Sequence, residues 1–269
     1  MKKKHRIRNA YKAFMEHNKK EKLTFYTYMI LRVFVILVMI AQFFNRNYEN
    51  VFLCLLTLIL FMIPNIIEMR FKVDLPNTLE IIVLLFIFSA EILGEIREYY
   101  IIYPLWDTML HTINGFLAAA IGFSLVDILN RNEKVTFHLS PFFVSMVAFC
   151  FSMTIGVLWE FFEFGMDMFF KFDMQKDTIL NSISTVMLDP LKGNKPVIIN
   201  EITNVSINGI DYGLDGYLDI GLIDTMQDLI VNFIGAVVFS TIGYFYVKNR
   251  GKRSVADQFI VKILDEDND

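Results

Sequence analysis

Asp107 and His111, Glu160 and Glu163, and Asp224 and Asp228 form three pairs whose members stand three or four residues apart. On a helix that spacing puts both members of a pair on one face. Asp167 extends the second stripe by about a turn and Asn232 extends the third. A carboxylate four residues from an imidazole can share a proton with it or bind an ion beside it. Paired carboxylates can hold a hard cation or divide acid and base roles. Five acids (Asp107, Glu160, Glu163, Asp224 and Asp228) around one imidazole cannot sit together uncompensated. Like charges raise each other's pKa, and burial adds to the effect. Protons, a cation or open access to water would each resolve the conflict. Oxygen ligands with one imidazole suit Mg, Mn, Zn or iron, and a single His argues against a zinc site built mainly on imidazole. The candidate metal ligands are therefore Asp107, His111, Glu160, Glu163, Asp224 and Asp228, with Glu95, Asp167 and Asn232 in support. His111, Glu160 and Asp228 are the candidate catalytic residues, with His111 or Glu160 as the acid–base.

The elements that must position these residues follow from composition. Hydrophobic residues make up 55% of the 269 and charged ones only 20%, too little polar surface for a soluble domain of this length. Windows of about 18 to 20 apolar residues span a bilayer core. Six can be placed, at 25–44, 51–68, 79–95, 108–128, 141–162 and 226–247. Backbone groups cannot go unpaired in lipid, so the spans should be helices. Runs such as Val33 to Ile40 lack the alternation of a barrel strand. The expected fold is all-α, a polytopic transmembrane bundle of about six helices with a small extracytoplasmic insertion. The first apolar run is longer than a signal-peptide core and lacks a small-residue cleavage site, so it reads as a retained helix.

Charge sets the expected orientation. Lys2, Lys3, Lys4, Arg6, Arg8, Lys12, Lys19, Lys20 and Lys22 precede the first window. Arg70 and Lys72, Arg131 and Lys134, and Lys248, Arg250, Lys252 and Arg253 follow the second, fourth and sixth. Cytoplasmic loops collect such residues, which places both termini in the cytoplasm of a multi-pass cell-membrane protein. Residues 1–24 are then a basic cytoplasmic segment, 25–247 the membrane domain with an outer insertion at about 168–223, and 248–269 a cytoplasmic tail.

Depth then groups the stripes. At about 1.5 Å per residue, His111 and Asp228 lie roughly 6 Å below Asp107 and Asp224. Glu160 reaches a similar level on an antiparallel helix, and Glu91 and Glu95 reach the same zone. All six candidate ligands are expected to converge just beneath the outer interface. Asp107 and Asp224 have a second explanation, since acids at a helix N-terminus are favoured by its dipole. The far half of the helices shows almost no polar path, which favours an outer-face site over transport.

The remaining features read more simply. Arg32 fits a side chain snorkelling to the inner interface, or a partner for an intramembrane carboxylate. Cys54 and Cys150 lie in different spans at different depths and should be unbridged. Trp106 and Trp159, with Tyr99, Tyr100 and Tyr103, fit an interfacial aromatic belt. Within the insertion, Lys195 to Thr203 and Val205 to Leu214 read as two strands of a hairpin turning around Asn204. Asn204-Val205-Ser206 matches a glycosylation acceptor by chance. No internal repeat is evident, which disfavours an inverted-repeat transporter.

Leu93-Gly94-Glu95, Tyr103-Pro104-x-Trp106-Asp107-x-x-x-His111, Trp159-Glu160-x-x-Glu163 and Asp224-Thr225-Met226-x-Asp228 together resemble the YjdF-like family of bacterial multi-pass membrane proteins. That resemblance implies a class and no activity. More distantly, Asp107-x-x-x-His111, Glu160 and Asp228-x-x-x-Asn232-x-x-Gly235 resemble the VanZ-like family, associated with glycopeptide-antibiotic resistance. The chain departs from it at Glu163, where that pattern favours Gln. Three classes of function are carried forward. The first is a metal-dependent enzyme of the cell envelope acting on a lipid or lipid-linked phosphate. The second is a proton- or cation-coupled transporter, and the third a structural or partner-binding protein whose polar cluster locks helix packing. Membrane lipid is the expected partner, and nothing points to nucleic acid.

Overall fold

The computed structural model describes residues 2–71, 73–131, 139–249 and 254–263. Of the basic residues that set the expected orientation, Lys72, Lys134, Arg250, Lys252 and Arg253 lie outside the described residues, as does much of the tail. The helices are α1 (Lys2–Phe44), α2 (Tyr48–Leu60), α3 (Ile63–Phe71), α4 (Asn77–Phe88), α5 (Tyr99–Ile102), α6 (Trp106–Arg131), α7 (Pro141–Gly165) and α8 (Leu222–Lys248). Five stretches are long and apolar enough to cross a membrane: Lys22–Phe44, Tyr48–Arg70, Trp106–Asn130, Pro141–Phe170 and Leu222–Lys248. The fold is a polytopic helical one, with five such stretches among the described residues where the apolar windows led us to expect six. The remaining window forms α4, which runs on as a π-helix over Ser89–Ile96. This segment contains Glu80, Glu91 and Glu95, and π turns, rare in helices at large, are frequent at functional sites.

The chain divides into two units, residues 1–153 with 231–269 and residues 154–230, so that α7 and α8 each contribute to both. In the first unit Leu31 and Val35 of α1 pack with Cys54 and Phe61 on the α2 side and with Leu84 and Ile92. Arg32 lies over the Tyr28 ring, 4.0 Å from its centroid, which suits a guanidinium that stacks on an aromatic face as it turns back along α1. Both cysteines are free thiols.

A second core joins Ala119, Ala120 and Phe123 of α6, Val144 and Ala148 of α7, and Ala236 and Phe239 of α8. Small residues let α6 and α8 come close. A Cβ on Gly115 would run into the backbone of Asn232, and one on Gly235 into that of Thr112. Polar groups tie the crossing: Ser152 donates to the Gly115 carbonyl at 2.7 Å, and Asn232 Nδ2 donates to the Ser152 carbonyl at 3.5 Å. Such small-residue contacts and interhelical hydrogen bonds hold membrane helices together where lipid removes the hydrophobic drive.

The C-terminal segment is also built into this unit. A 3₁₀ turn over Val255–Gln258, capped by Ser254, brings Ala256 and Ile260 into the second core. Val261 N donates to Ser124 Oγ at 3.0 Å. Phe259 meets Phe116 edge to face with centroids 5.0 Å apart. β1 (Val73–Asp74) then pairs antiparallel with β8 (Lys262–Ile263). The sequence reads this segment as a tail, yet its described part is docked.

The second unit holds the ends of α7 and α8 and everything between them. α7 passes into a π-helix over Met166–Phe170, and three antiparallel strand pairs follow. β2 (Ile179–Leu180) pairs with β7 (Tyr217–Leu218), β3 (Ile183–Thr185) with β4 (Val197–Ile199), and β5 (Ser206–Ile207) with β6 (Ile210–Asp211). The expected single hairpin around Asn204 is therefore wrong in its pairing. β4 pairs back to β3, and the segment after Asn204 closes on itself through Asn208 and Gly209 instead. Both turn residues have positive φ, the conformation that a two-residue hairpin turn demands.

Candidate functional site

The second unit assembles its acidic residues from three local devices. α7 carries Glu160 and Glu163 one turn apart. The α8 N-terminus is fixed by Asp219, whose carboxylate accepts from Leu222 N at 3.3 Å and Ile223 N at 2.9 Å, an N-cap contact that satisfies otherwise orphaned donors. That start sets the phase of the helix and so the direction of Asp228. Gly221 is at φ +88° and lies against Gln175, where a Cβ would meet the Gln175 side chain and carbonyl. The tight approach brings the loop after α7 onto the first turn of α8.

The result is a triad. Glu160, Glu163 and Asp228 are 4%, 7% and 3% exposed, and each offers a carboxylate oxygen within 4.8 Å of the other two. Donors approach two of them from the same unit. Trp159 Nε1 donates to Glu163 Oε1 at 2.8 Å, and Gln175 Nε2 lies 3.5 Å from Glu160 Oε2 while donating to Thr225 Oγ1 at 2.7 Å. Trp159 is thus tied to the triad as well as fitting the aromatic belt. Gln175 is itself positioned by Asp167, whose two oxygens accept from Met174 N at 2.7 Å and Gln175 N at 2.8 Å.

Each of the other expected residues has local contacts within its own unit. Asp224 accepts from Lys176 N at 2.8 Å and Asp167 from the same loop, so each of these two acids holds backbone. In the first unit Asp107 Oδ1 and His111 Nε2 stand 3.5 Å apart, one turn along α6. Glu95 is exposed on the π-helix and, among the described residues, joins no cluster with the spacing of metal ligands. Asn232 is buried at the α6–α8 crossing described above, where it also donates to Ser152 of α7.

Gln175 and Asp219 escape the sequence reading, and Thr225 enters it only as part of the family pattern. Asp219 has a signal, a capping-type residue three before an apolar helical run. Gln175 has none, because it reaches the triad through a loop. A further correction concerns the far half of the helices. Ser124, Asp127, Asn130, Ser145 and Ser240 are all buried there, so that half is more polar than the apolar windows suggest. Ser124 and Asn130 serve the fold, Asn130 by accepting from Leu139 N at 2.8 Å.

Outside the spans, Asp177 has its pKa raised, by desolvation first and then by Asp173, Asp219 and Asp167, against a smaller opposing pull from Lys176. The insertion loop near the triad is thus dense in negative charge.

Helices long and apolar enough to span a membrane, some of them burying carboxylates, define a multi-pass membrane protein with a buried acidic cluster. The family described as predicted membrane protein (DUF2238) matches residues 27–249, and the chain belongs to that family. No curated protein and no solved structure matches it.

Proposed function

We propose that Glu160, Glu163 and Asp228 bind a divalent cation and that the protein acts on a phosphate-bearing lipid or lipid-linked molecule of the bacterial envelope. The carrying observation is three buried carboxylates with ligand oxygens within 4.8 Å of one another. A cation bound at 2.0–2.6 Å by oxygen holds opposed ligands about 4–5 Å apart, so the spacing fits a Mg-, Mn- or Ca-sized ion. A full negative charge on each buried carboxylate would be costly without compensation. When bound, the cation would supply Lewis-acid polarisation of a phosphoryl oxygen. The chain's own residues then orient the ligands: Trp159 holds Glu163, and Gln175 spans Glu160 and Thr225. Such supporting hydrogen bonds fix ligand geometry at metal sites.

The likeness to the YjdF-like and VanZ-like patterns at Asp107, His111, Glu160, Asp228 and Asn232 supports an envelope setting. The positive-inside pattern supports an outer location for the triad, with both termini in the cytoplasm. Reporter fusions at Glu49, near Tyr99 and near Asn194 should then report outside, and fusions after Lys72, Asn132 and Lys252 inside. Reversal at two or more of these loops ends the outer-face reading.

The direct test is metal analysis of purified protein, wild type against Asp228→Asn. About one bound divalent ion per chain, lost in the variant, is the expected result, and equal, trace metal in both defeats the proposal. Asp107→Asn and His111→Ala, measured in parallel, test the expectation that α6 contributes ligands. A second reading, cation- or proton-coupled transport, is favoured by the burial of Asp127, 1% exposed on α6, since intramembrane acids mark ion paths. Ion flux into liposomes that depends on Asp127 would favour it over an enzyme.

A further inference from the structure

The insertion carries an apolar tip that the triad does not use. Between β3 and β4 the chain runs Val186-Met187-Leu188-Asp189-Pro190-Leu191-Lys192-Gly193-Asn194-Lys195. Met187 is 86% and Leu191 84% exposed, with Leu188 more than half exposed beside them. Elsewhere among the described residues, side chains of this kind exposed by three quarters or more are Phe44, Met69, Ile101, Leu105, Phe169 and Ile220. Five of the six lie within two residues of an end of a stretch long enough to cross a membrane, and Ile101 lies on the short α5 that precedes one. The tip of the β3–β4 loop has the same character without being part of a span.

Its backbone is prepared for a poorly hydrating environment. Asp189 folds its carboxylate onto its own loop and accepts from Leu191 N at 3.1 Å, Gly193 N at 2.7 Å and Lys195 N at 3.1 Å. Met187 N donates to Thr185 Oγ1, Asp189 N to the Val186 carbonyl and Lys192 N to the Asp189 carbonyl. Pro190 has no N–H to satisfy. Most donors of the tip are therefore paired within it, which lowers the cost of taking irregular backbone out of water. The same N–H groups hold the Asp189 carboxyl below the usual carboxylate range. Lys192 and Lys195 stand on the loop beside the apolar residues. Lysines in that position can keep their stems in apolar surroundings and their charges at lipid phosphates. Both ends of the insertion continue into stretches long and apolar enough to cross a membrane, ending at Phe170 and starting at Leu222, which holds the roots of the insertion at the membrane surface.

We propose that Met187, Leu188 and Leu191 form a finger that inserts into the lipid leaflet adjoining the insertion, with Lys192 and Lys195 at its headgroups. The occupant is the bilayer, in preference to a protein partner, because the satisfied backbone and the flanking lysines match an interface between hydrocarbon and phosphate. The proposal stands apart from the metal reading.

The test uses the full chain in nanodiscs containing an anionic phospholipid. Cys54→Ala and Cys150→Ala leave Leu191→Cys as the single thiol for an environment-sensitive fluorophore. Asn208→Cys, in the polar β5–β6 turn, is the control. Lipid carrying a nitroxide near the headgroup should quench the label at 191 several-fold more than aqueous iodide does, with the order reversed at 208. Asp189→Ala should free the backbone donors and return the label to iodide. In the native-cysteine background, a photoreactive phenylalanine analogue at 191 should give lipid adducts, which keeps the test valid if the cysteine replacements disturb folding. Quenching of 191 by iodide as readily as 208 overturns the proposal. So does shielding from both quenchers together with cross-links to protein, which would identify a protein contact instead.

Discussion

The core around Phe123 and Phe239 and the triad of Glu160, Glu163 and Asp228 are comparably buried, yet on opposite physical terms. The first gathers alanines, valines and edge-to-face aromatics from three helices and the C-terminal segment. Every group there is apolar, so burial costs it nothing and close packing holds it. The second gathers three acids, each of which loses hydration when ionised and repels the other two. A core of the first kind is sufficient in itself. A cluster of the second kind calls for protons, donors or a cation, and that requirement makes it the better candidate for function.

The largest expected effect probes the apolar side of this contrast. Phe239→Ala should cost about 3–5 kcal/mol, the usual range for emptying a buried aromatic site, while metal content per folded chain stays unchanged. A parallel loss of metal would mean that the two regions are not independent. Thermal unfolding in detergent combined with elemental analysis reads both quantities.

Next comes the triad itself. With metal at about a hundred times its Kd, binding to the native state alone contributes about 2.7 kcal/mol. A chelator should therefore lower the Tm of wild type and leave that of Asp228→Asn unmoved. A wild-type Tm indifferent to chelator between pH 6 and 8 would replace the cation with shared protons. Raising pH should then destabilise wild type as the acids ionise against one another.

Gln175→Ala separates orientation from ligation. Removing its donor contacts should cost about 1 kcal/mol and weaken metal affinity by about tenfold, the lower bound for supporting residues at metal sites. Metal affinity equal to wild type would reduce Gln175 to a loop anchor.

The smallest effect belongs to Asp177. Its raised pKa means that its contribution to stability is present below the unfolded value, about 4, and is lost as pH rises through the higher folded one. Asp177→Asn removes that loss, so the variant should gain on wild type as pH rises from the unfolded value through the folded one. The group is exposed, so the gain should stay within about 0.5 kcal/mol. A variant less stable than wild type at neutral pH would show that Asp177 makes a contact outweighing its repulsion.

Much of this was legible in the residues. Apolar windows located the helices, because only length and hydropathy decide what a bilayer accepts. Spacings of three and four placed Glu160 with Glu163, and Asp107 with His111, because helical periodicity is local. The strand pairing of the insertion was misread, since Lys195 to Thr203 is short and its partner, Ile183–Thr185, lies well back in the chain. Short apolar runs do not encode which neighbour they will meet.

What the sequence determined alone is therefore the solvent and the faces: a membrane protein, its helical windows, and acids aligned on stripes. The tertiary structure decided which acids stay together. Asp167 and Asp224 have the same side-chain chemistry as Asp228, yet their carboxylates hold the backbone of one loop, while Asp228 turns toward Glu160 and Glu163. It also docked the segment from Ser254 to Ile263 against α6, where Ala256, Phe259 and Ile260 find apolar partners. Both outcomes depend on contacts between residues far apart in the chain, whose geometry no local pattern of residue types contains.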